Sequence, residues 1–181
     1  MNIRTARESD ARSVARVHVE TWRAAYRGVV PDAYLNSLSI DKRELAWGKS
    51  IRAGIPELWV AEIQSEVAGW VAFGPSRDSD ASASVGELEA IYITPDHWAT
   101  GVGRALWFVA RRRLIERGFS SATLWVLVKN ARAIKFYGAA GFQPNPASEK
   151  EINLGGATLK EVRYETYLGR SCTPARSSHK L

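Results

Sequence analysis

A short glycine-containing segment, Thr100-Gly101-Val102-Gly103-Arg104, is the part of the sequence best suited to bind an anion. It follows a strand-like run and opens a helix-like one. The free backbone N–H groups at a helix start, with the helix dipole behind them, favour negative charge. Glycine also lets the backbone approach a phosphate without a Cβ in the way. A tight strand-to-helix turn with no ligand explains the segment equally well.

Two common nucleotide motifs do not fit this segment. A dinucleotide fingerprint needs a third glycine three residues after Gly103, and that position holds Leu106. A P-loop needs Gly-Lys-Ser/Thr, whereas Gly103 is followed by Arg104 and Ala105. An anion site remains, but not one of these two kinds.

A pair of carboxylates precedes the glycine segment. Glu87 and Glu89 are two residues apart in a strand-like run, so both project from one face of the strand. Carboxylates so placed could raise the pKa of one member and help to deprotonate an amine, directly or through water. They could instead pair with arginines or bind a cationic acceptor.

The elements that must position these residues follow from hydrophobic periodicity and turn signals. Helices are predicted from an N-cap at Ser9 to about residue 26, and over 31–38, 41–54, 101–117 and 130–137. Strands are predicted over 2–6, 58–63, 67–73, 87–93, 122–128, 151–154 and 159–168. An antiparallel hairpin next to a strand–helix–strand crossover predicts an α/β (α+β) fold, with a mixed, mostly antiparallel sheet flanked by helices.

Residues 86–142 closely resemble the core of the GNAT acetyltransferase superfamily. The matching segments are Glu87-Leu88-Glu89-Ala90-Ile91-Tyr92-Ile93-Thr94-Pro95, Gly101-Val102-Gly103, Asn130-Ala131-Arg132-Ala133-Ile134-Lys135-Phe136-Tyr137 and Gly141-Phe142. The family core has a strand, a Q/R-x-x-G-x-G/A loop, a helix, a second strand and N-x-x-A-x-x-F-Y-x-x-x-G-F. The helix around 22–28 and the closing Arg163-Tyr164-Glu165 also look like this family.

The resemblance implies a site for acetyl-CoA. In the family the pyrophosphate rests on the glycine loop, here Thr100, Gly101, Val102, Gly103 and Arg104. The pantetheine arm lies against the preceding strand, where Ile91 and Ile93 would supply backbone hydrogen bonds. The amide of Ile91 would also stabilise the oxyanion of the tetrahedral intermediate. Asn130 matches a residue that contacts this arm, although a helix N-cap role explains it equally well.

The resemblance also implies how protons move. The tyrosine of the Phe-Tyr pair, Tyr137 here, often protonates the departing CoA thiolate; the alternative is a core tyrosine with a satisfied hydroxyl. Glu87 lies eleven residues before Trp98, where histone acetyltransferases of the superfamily carry a glutamate base. Glu89 is the second candidate for the base.

The sequence departs from the family pattern at several positions. Trp98 stands where the family usually has Gln or Arg, and Ala99 where it often has Gly. Neither change removes the two glycines nearest the phosphates, so cofactor binding is still expected. Ribosomal-protein N-terminal acetyltransferases carry a glutamate at the position of Leu127, which disfavours that substrate class.

Length, charge and composition exclude other classes. The 181 residues predict one domain, 1–169, and a disordered basic tail, 170–181. The tail carries half of the net charge of +6, so the domain lacks the basic excess expected of a nucleic-acid-binding protein. No apolar run is long enough to cross a membrane, and no signal region opens the chain, which favours the cytoplasm. The only cysteine, Cys172, lies in the tail, and no Cys/His spacing suggests a metal site.

The sequence therefore predicts acetyl transfer from acetyl-CoA to a primary amine by direct attack in a ternary complex. A covalent route is disfavoured because Cys172 lies in the tail. A non-catalytic acyl-CoA-binding regulatory module is the alternative. The acceptor, a small-molecule or peptide amine, stays unidentified, as does the oligomeric state, a homodimer included.

Overall fold

Residues 1–169 are described in the computed structural model; the predicted tail, 170–181, lies outside the described residues. The strands are β1 Asn2–Thr5, β2 Glu57–Ile63, β3 Glu66–Pro75, β4 Val85–Ile93, β5 Ser121–Leu127, β6 Gln143–Leu154 and β7 Ala157–Tyr167. The α-helices are α1 Ala11–Ala25, α2 Asp32–Ser37, α3 Ile40–Ala53, α4 Val102–Glu116 and α5 Ala131–Ala139. Short 3₁₀ turns, Glu8–Asp10 and Pro95–His97, precede α1 and α4.

The strands form one seven-stranded sheet in the order β1-β2-β3-β4-β5-β7-β6. Within the described residues, β4–β5 is the only parallel pair, and α4 makes its crossover. The predicted mixed, mostly antiparallel sheet is confirmed.

Helices cover both faces of this sheet. On one face α1 and α3 pack against β2 and β3, around the buried Trp70. On the other face α4 packs against β3, β4 and β5, with Leu106 and Leu114 fully buried. Eight consecutive residues of β3 are buried because each face of that strand is covered.

Two predicted boundaries were wrong. Asp10, not Ser9, occupies the N-cap position of α1, and its carboxylate binds the Arg4 guanidinium and the backbone N–H of Arg7. Strand β6 begins at Gln143, although the prediction began it at residue 151. Two prolines hide this part of the strand in the sequence, and the sheet tolerates them because β6 is an edge strand.

Strand β4 carries a β-bulge, which the regular alternation of side chains along a strand did not predict. Ala90 pairs with Ala72 and Leu88 with Phe73, so Glu89 has no opposing residue on β3. Leu88 and Ile91 consequently both face α4, although residues three positions apart in a regular strand face opposite sides. Tyr92 faces α1 instead.

A cluster of aromatic rings surrounds His18 between α1 and the sheet. The imidazole stacks on Trp22 with ring centroids 5.5 Å apart, and its centroid lies 5.0 Å from that of Tyr92. Trp47 Nε1 donates to His18 Nδ1 at 3.1 Å. Burial is the main cause that lowers the pKa of His18 to about 3, so the ring is neutral at physiological pH.

Because this pKa is depressed, His18 makes the fold sensitive to acid. The unfolded chain takes up a proton below about pH 6.5 and the folded chain does not, so stability falls as the pH drops from there towards 3. The slope from this group approaches about 1.4 kcal/mol per pH unit. His18→Gln, which keeps an acceptor for Trp47, should flatten this part of the curve. Urea unfolding from pH 7 to 4 measures the slope, and equal slopes in both proteins would contradict this account.

Candidate active site

The site begins where β4 and β5 separate. The two strands pair only over Val85–Glu87 and Ser121–Thr123, so the later part of β4 faces an opening. Thr94 N–H donates to the carbonyl oxygen of Ala68 on β3, which shows which residues of β4 direct their backbone groups towards β3. By alternation, Ile91 and Ile93 direct their backbone groups away from β3 and towards the opening.

One of these backbone groups already has partners. The carbonyl oxygen of Ile93 accepts from Thr21 Oγ1 at 2.9 Å and from Trp98 Nε1 at 2.8 Å. A ligand in the opening therefore has the Ile91 groups and the Ile93 N–H available to it. The side chain of Ile91 is buried and packs in the core.

The glycine segment forms the start of α4, and each of its residues has a distinct environment. Gly101 is the N-cap residue with φ 93°, a left-handed conformation that favours glycine. A Cβ on Gly103 would lie 3.2 Å from the Phe136 ring, so this glycine permits close packing against α5. Val102 is buried, whereas Thr100 and Arg104 are exposed next to the free N–H groups of the helix.

The departures from the family pattern have structural consequences. Ala99 has φ 60°, which explains why glycine is common there in the family. The Trp98 ring lies under the Arg132 guanidinium, with Cζ 3.7 Å from the ring centroid. Trp98 thus connects the loop that precedes α4 to helix α5.

Helix α5 places Asn130 and Tyr137. Asn130 is buried and caps the helix, since its Oδ1 accepts from Ala133 N–H at 3.1 Å. The Tyr137 ring packs against Phe136 and Phe142, with centroids 5.3 and 5.9 Å away. Burial raises the pKa of Tyr137, and the nearby Tyr26 raises it further, so the hydroxyl keeps its proton at neutral pH.

Two more tyrosines lie near Tyr137. Burial raises the pKa of Tyr26 and of Tyr92, and the electrostatic influence of Tyr26 on both Tyr92 and Tyr137 places the three hydroxyls in one neighbourhood. Three protonated phenols therefore lie near one another, and two of them, Tyr26 and Tyr92, line a cavity.

The two carboxylates of β4 share one arginine. Glu87, with 3% of its side chain exposed, accepts from the backbone N–H, Nε and a terminal nitrogen of Arg77. Glu89 lies 3.2 Å from another Arg77 nitrogen. Burial is the main cause that raises the pKa of Glu89; Arg77 opposes this shift and Glu87 adds to it. Arg77 engages both carboxylate oxygens of Glu87, whereas its ion pair with Glu89 involves one oxygen, Oε2.

These carboxylates open into a cavity of about 440 Å³. Its aromatic walls are Trp22, Tyr26, Tyr92 and Trp125, and Leu127 also lines it. A cavity of this size holds a small ligand or the end of a longer one. It brings together the carboxylate pair predicted from sequence and the tyrosines near Tyr137.

Sequence reasoning missed several residues of this cavity. Arg77 and Asp78 lie in a loop without periodicity, where a buried partner cannot be inferred from spacing. Lys150 lies in the unpredicted part of β6, and Glu161 was treated only as part of a closing strand. The sequence could have indicated Tyr92, because a tyrosine between two isoleucines places a hydroxyl-bearing ring on a strand of the sheet.

Comparison with known proteins agrees with this geometry. Residues 16–142 match the Acetyltransferase (GNAT) family model. The chain belongs to the GNAT acetyltransferase family. The family assignment drawn from the motifs is confirmed, and the protein is an acetyl-CoA-dependent N-acetyltransferase.

Relatives and solved structures cover nearly the whole chain. An uncharacterized N-acetyltransferase of Bacillus subtilis, YuaI, is 36% identical over 163 residues, covering 90% of this chain and 90% of the relative. YncA of Salmonella typhimurium, a structure with its cofactor acetyl-CoA, aligns with a TM-score of 0.72 at 20% identity, over 97% of this chain and 98% of that one. The PaiA N-acetyltransferase of Thermoplasma acidophilum, in complex with coenzyme A, also gives a TM-score of 0.72 at 20% identity, over 92% and 98%.

Within residues 1–169, none of the helices has the length and apolar character needed to span a membrane. In the same residues, no three His, Cys, Asp or Glu side chains gather in a way that could hold a metal ion.

Acetyl-CoA should raise the melting temperature, and the glycines of the loop should control this effect. Gly101→Val forces a side chain into a left-handed conformation, and Gly103→Val drives one into Phe136, so both should abolish the shift. Gly138→Ala is the matched control, because a Cβ there meets open space inside α5. It should keep the shift and stabilise the apo protein by up to about 1 kcal/mol. A normal shift in both valine variants would place the phosphates elsewhere.

Proposed function

We propose that this enzyme transfers an acetyl group from acetyl-CoA to a primary amine, which attacks the thioester directly in a ternary complex. The observation that carries the proposal is the meeting of the β4–β5 opening with a cavity that holds Glu87, Glu89 and two tyrosines. Thioester and amine can approach each other there without a covalent enzyme intermediate. Residues 1–169 form the proposed catalytic unit.

Backbone groups hold the cofactor in this proposal. The pyrophosphate binds at the start of α4, between Thr100 and Arg104, where free N–H groups and the helix dipole favour an anion. The pantetheine arm lies in the opening along Ile91 and Ile93. The Ile91 N–H points at the thioester carbonyl and stabilises the oxyanion that forms as the amine attacks.

Tyr137 is the proposed general acid. Its raised pKa keeps the proton on the hydroxyl until the C–S bond breaks, when the departing thiolate accepts it. Burial also raises the pKa of the neighbouring Tyr26, so its hydroxyl is protonated as well and can donate a hydrogen bond. Asn130 fixes the start of the helix that carries this acid.

The carboxylate pair of β4 supplies the proposed base. Glu87 is the base predicted by position in the family, and Glu89 was the second candidate. The contacts favour Glu89 as the proton acceptor, because Arg77 engages both oxygens of Glu87. Glu87 then serves to hold Arg77, and its charge adds to the effect of burial in raising the pKa of Glu89.

A non-catalytic acyl-CoA-binding module is the competing function. It would need the opening and the glycine loop, but neither a buried carboxylate pair nor a protonated tyrosine at the same cavity. Steady-state CoA release with a panel of amines distinguishes the two functions. Binding of acetyl-CoA without release for any amine would favour the binding module.

Replacement of Tyr137 tests the acid. Tyr137→Phe should lower kcat by about 10²-fold, the lower end for a positioned acid. Acetyl-CoA affinity should change little, since the ring and its packing against Phe142 remain. Tyr164→Phe is the matched control: neither tyrosine is among the cavity-lining residues, but Tyr137 adjoins Tyr26, which lines the cavity, whereas Tyr164 is buried in the core opposite Leu124. Full activity in Tyr137→Phe would remove it from the mechanism.

The two glutamates can be separated by their pH–rate profiles. The base must be ionised, so kcat falls as the pH drops through its pKa, which for Glu89 lies above the ordinary range. Glu89→Gln should remove this acidic limb, with a defect that shrinks as the pH rises. Glu87→Gln should instead loosen Arg77 and raise KM with the limb retained. Profiles from pH 6 to about 9.5 decide; the reverse pattern assigns the base to Glu87.

A further inference from the structure

Carboxylates outnumber cations around the cavity. Its lining includes four acidic and two basic side chains: Asp78, Glu87, Glu89, Glu161, Arg77 and Lys150. Residues 1–169 have a net charge of +3, which is the total of +6 less the three positive charges of the tail, so the cavity has the opposite sign to the domain around it. A local negative potential of this kind concentrates cations and disfavours anions.

The neighbouring cations do not neutralise this excess. Arg77, with 64% of its side chain exposed, is shared between Glu87 and Glu89. Arg163, beside the cavity, is divided among the carboxylates of Asp78, Asp80 and Glu165. With Arg163 counted, the four carboxylates that line the cavity exceed the three cations by one negative charge.

Glu161 provides a further acidic position, on another strand of the cavity wall. It lies on β7 opposite Leu127, whereas Glu87 pairs with Thr123 of β5. Along the strands, Glu161 is four residues beyond the level of Glu87 and two beyond that of Glu89, about 13 and 7 Å at roughly 3.3 Å per residue. The described contacts of the Glu161 carboxylate include one ion pair, to Lys150 at 3.4 Å.

Aromatic rings line the space near Glu161. The Lys150 ammonium lies 3.5 Å from the centroid of the Trp125 ring, a cation–π contact. The protein's own alkylammonium group thus shows that Trp125 and Glu161 together suit a cation on a hydrocarbon chain. Trp22 and Tyr26 offer apolar surface for the methylene groups of such a chain.

We propose that the acceptor is an aliphatic amine with a second positive charge several carbons from the reacting nitrogen, bound by Glu161 and Trp125. The inference rests on the proposed acetyl transfer. The reacting amine lies at Glu87 and Glu89, the methylene chain follows the aromatic wall, and the second ammonium group displaces Lys150. An acceptor with a carboxylate at its far end would be repelled by the same residues.

Three acceptors of matched chain length test this charge preference: hexamethylenediamine, hexylamine and ε-aminocaproate. With saturating acetyl-CoA, kcat/KM from CoA release should be at least about tenfold higher for the diamine than for hexylamine, after allowance for its two amines. The aminocarboxylate should be the poorest substrate. Equal values for diamine and hexylamine, or a preference for the aminocarboxylate, would overturn the inference.

Charge variants then locate the second site. Glu161→Gln should bring the diamine-to-hexylamine ratio close to one. Lys150→Gln removes the competing cation and should lower KM for the diamine. Glu149→Gln is the matched control, since Glu149 belongs to the same β6–β7 hairpin, pairs with Lys160 and does not line the cavity; it should keep the wild-type ratio. An unchanged ratio in Glu161→Gln, or a raised diamine KM in Lys150→Gln, would contradict the assignment.

Calorimetry separates this inference from the proposed function. Titration of each acceptor into the CoA-saturated protein measures binding without chemistry. Tighter binding of the diamine without CoA release would refute the catalytic proposal and support the charged site. CoA release with equal affinities for diamine and hexylamine would support catalysis and refute the charged site.

Discussion

The separation of β4 from β5 is the constraint on which the rest of the site depends. Three residues of each strand pair, and beyond them the sheet opens although both strands continue. The bulge at Glu89 bends β4 and changes which face of the sheet its later side chains point to. Ile91 is thereby oriented with its side chain in the α4 core and its backbone towards the opening. One inserted residue thus links the carboxylate pair to the backbone proposed to bind the cofactor arm.

The charges at the opening are balanced by a loop rather than by the sheet. Glu87 is almost fully buried, and an isolated carboxylate there would be costly. Arg77 offsets this cost from the loop between β3 and β4, where 64% of its side chain is exposed. A cationic acceptor would then meet carboxylates already held in place, and their ordering would not have to accompany binding.

The sequence reveals the backbone of the site better than its pocket. Helix periodicity, glycine turns and motif order predicted α4, α5 and the parallel crossover, since these features depend on neighbours within a few residues. Strand β6 was placed too short because prolines obscure an edge strand. The partners Arg77–Glu87 and Lys150–Glu161 face each other across a loop and across the β6–β7 hairpin, and the periodicity of a single helix or strand does not reveal such contacts.

Trp98 shows how a departure from the family pattern can preserve the site. A tryptophan cannot offer the polar side chain usual at this position, yet its indole N–H binds the carbonyl of Ile93 at the end of β4. Its ring face holds Arg132 at the start of α5. Because Gly103 also packs against Phe136 of α5, the start of α4 and the helix bearing Tyr137 contact each other twice. In the proposed mechanism, cofactor binding at the loop and placement of the acid would therefore be coupled through packing that a smaller polar residue would not provide.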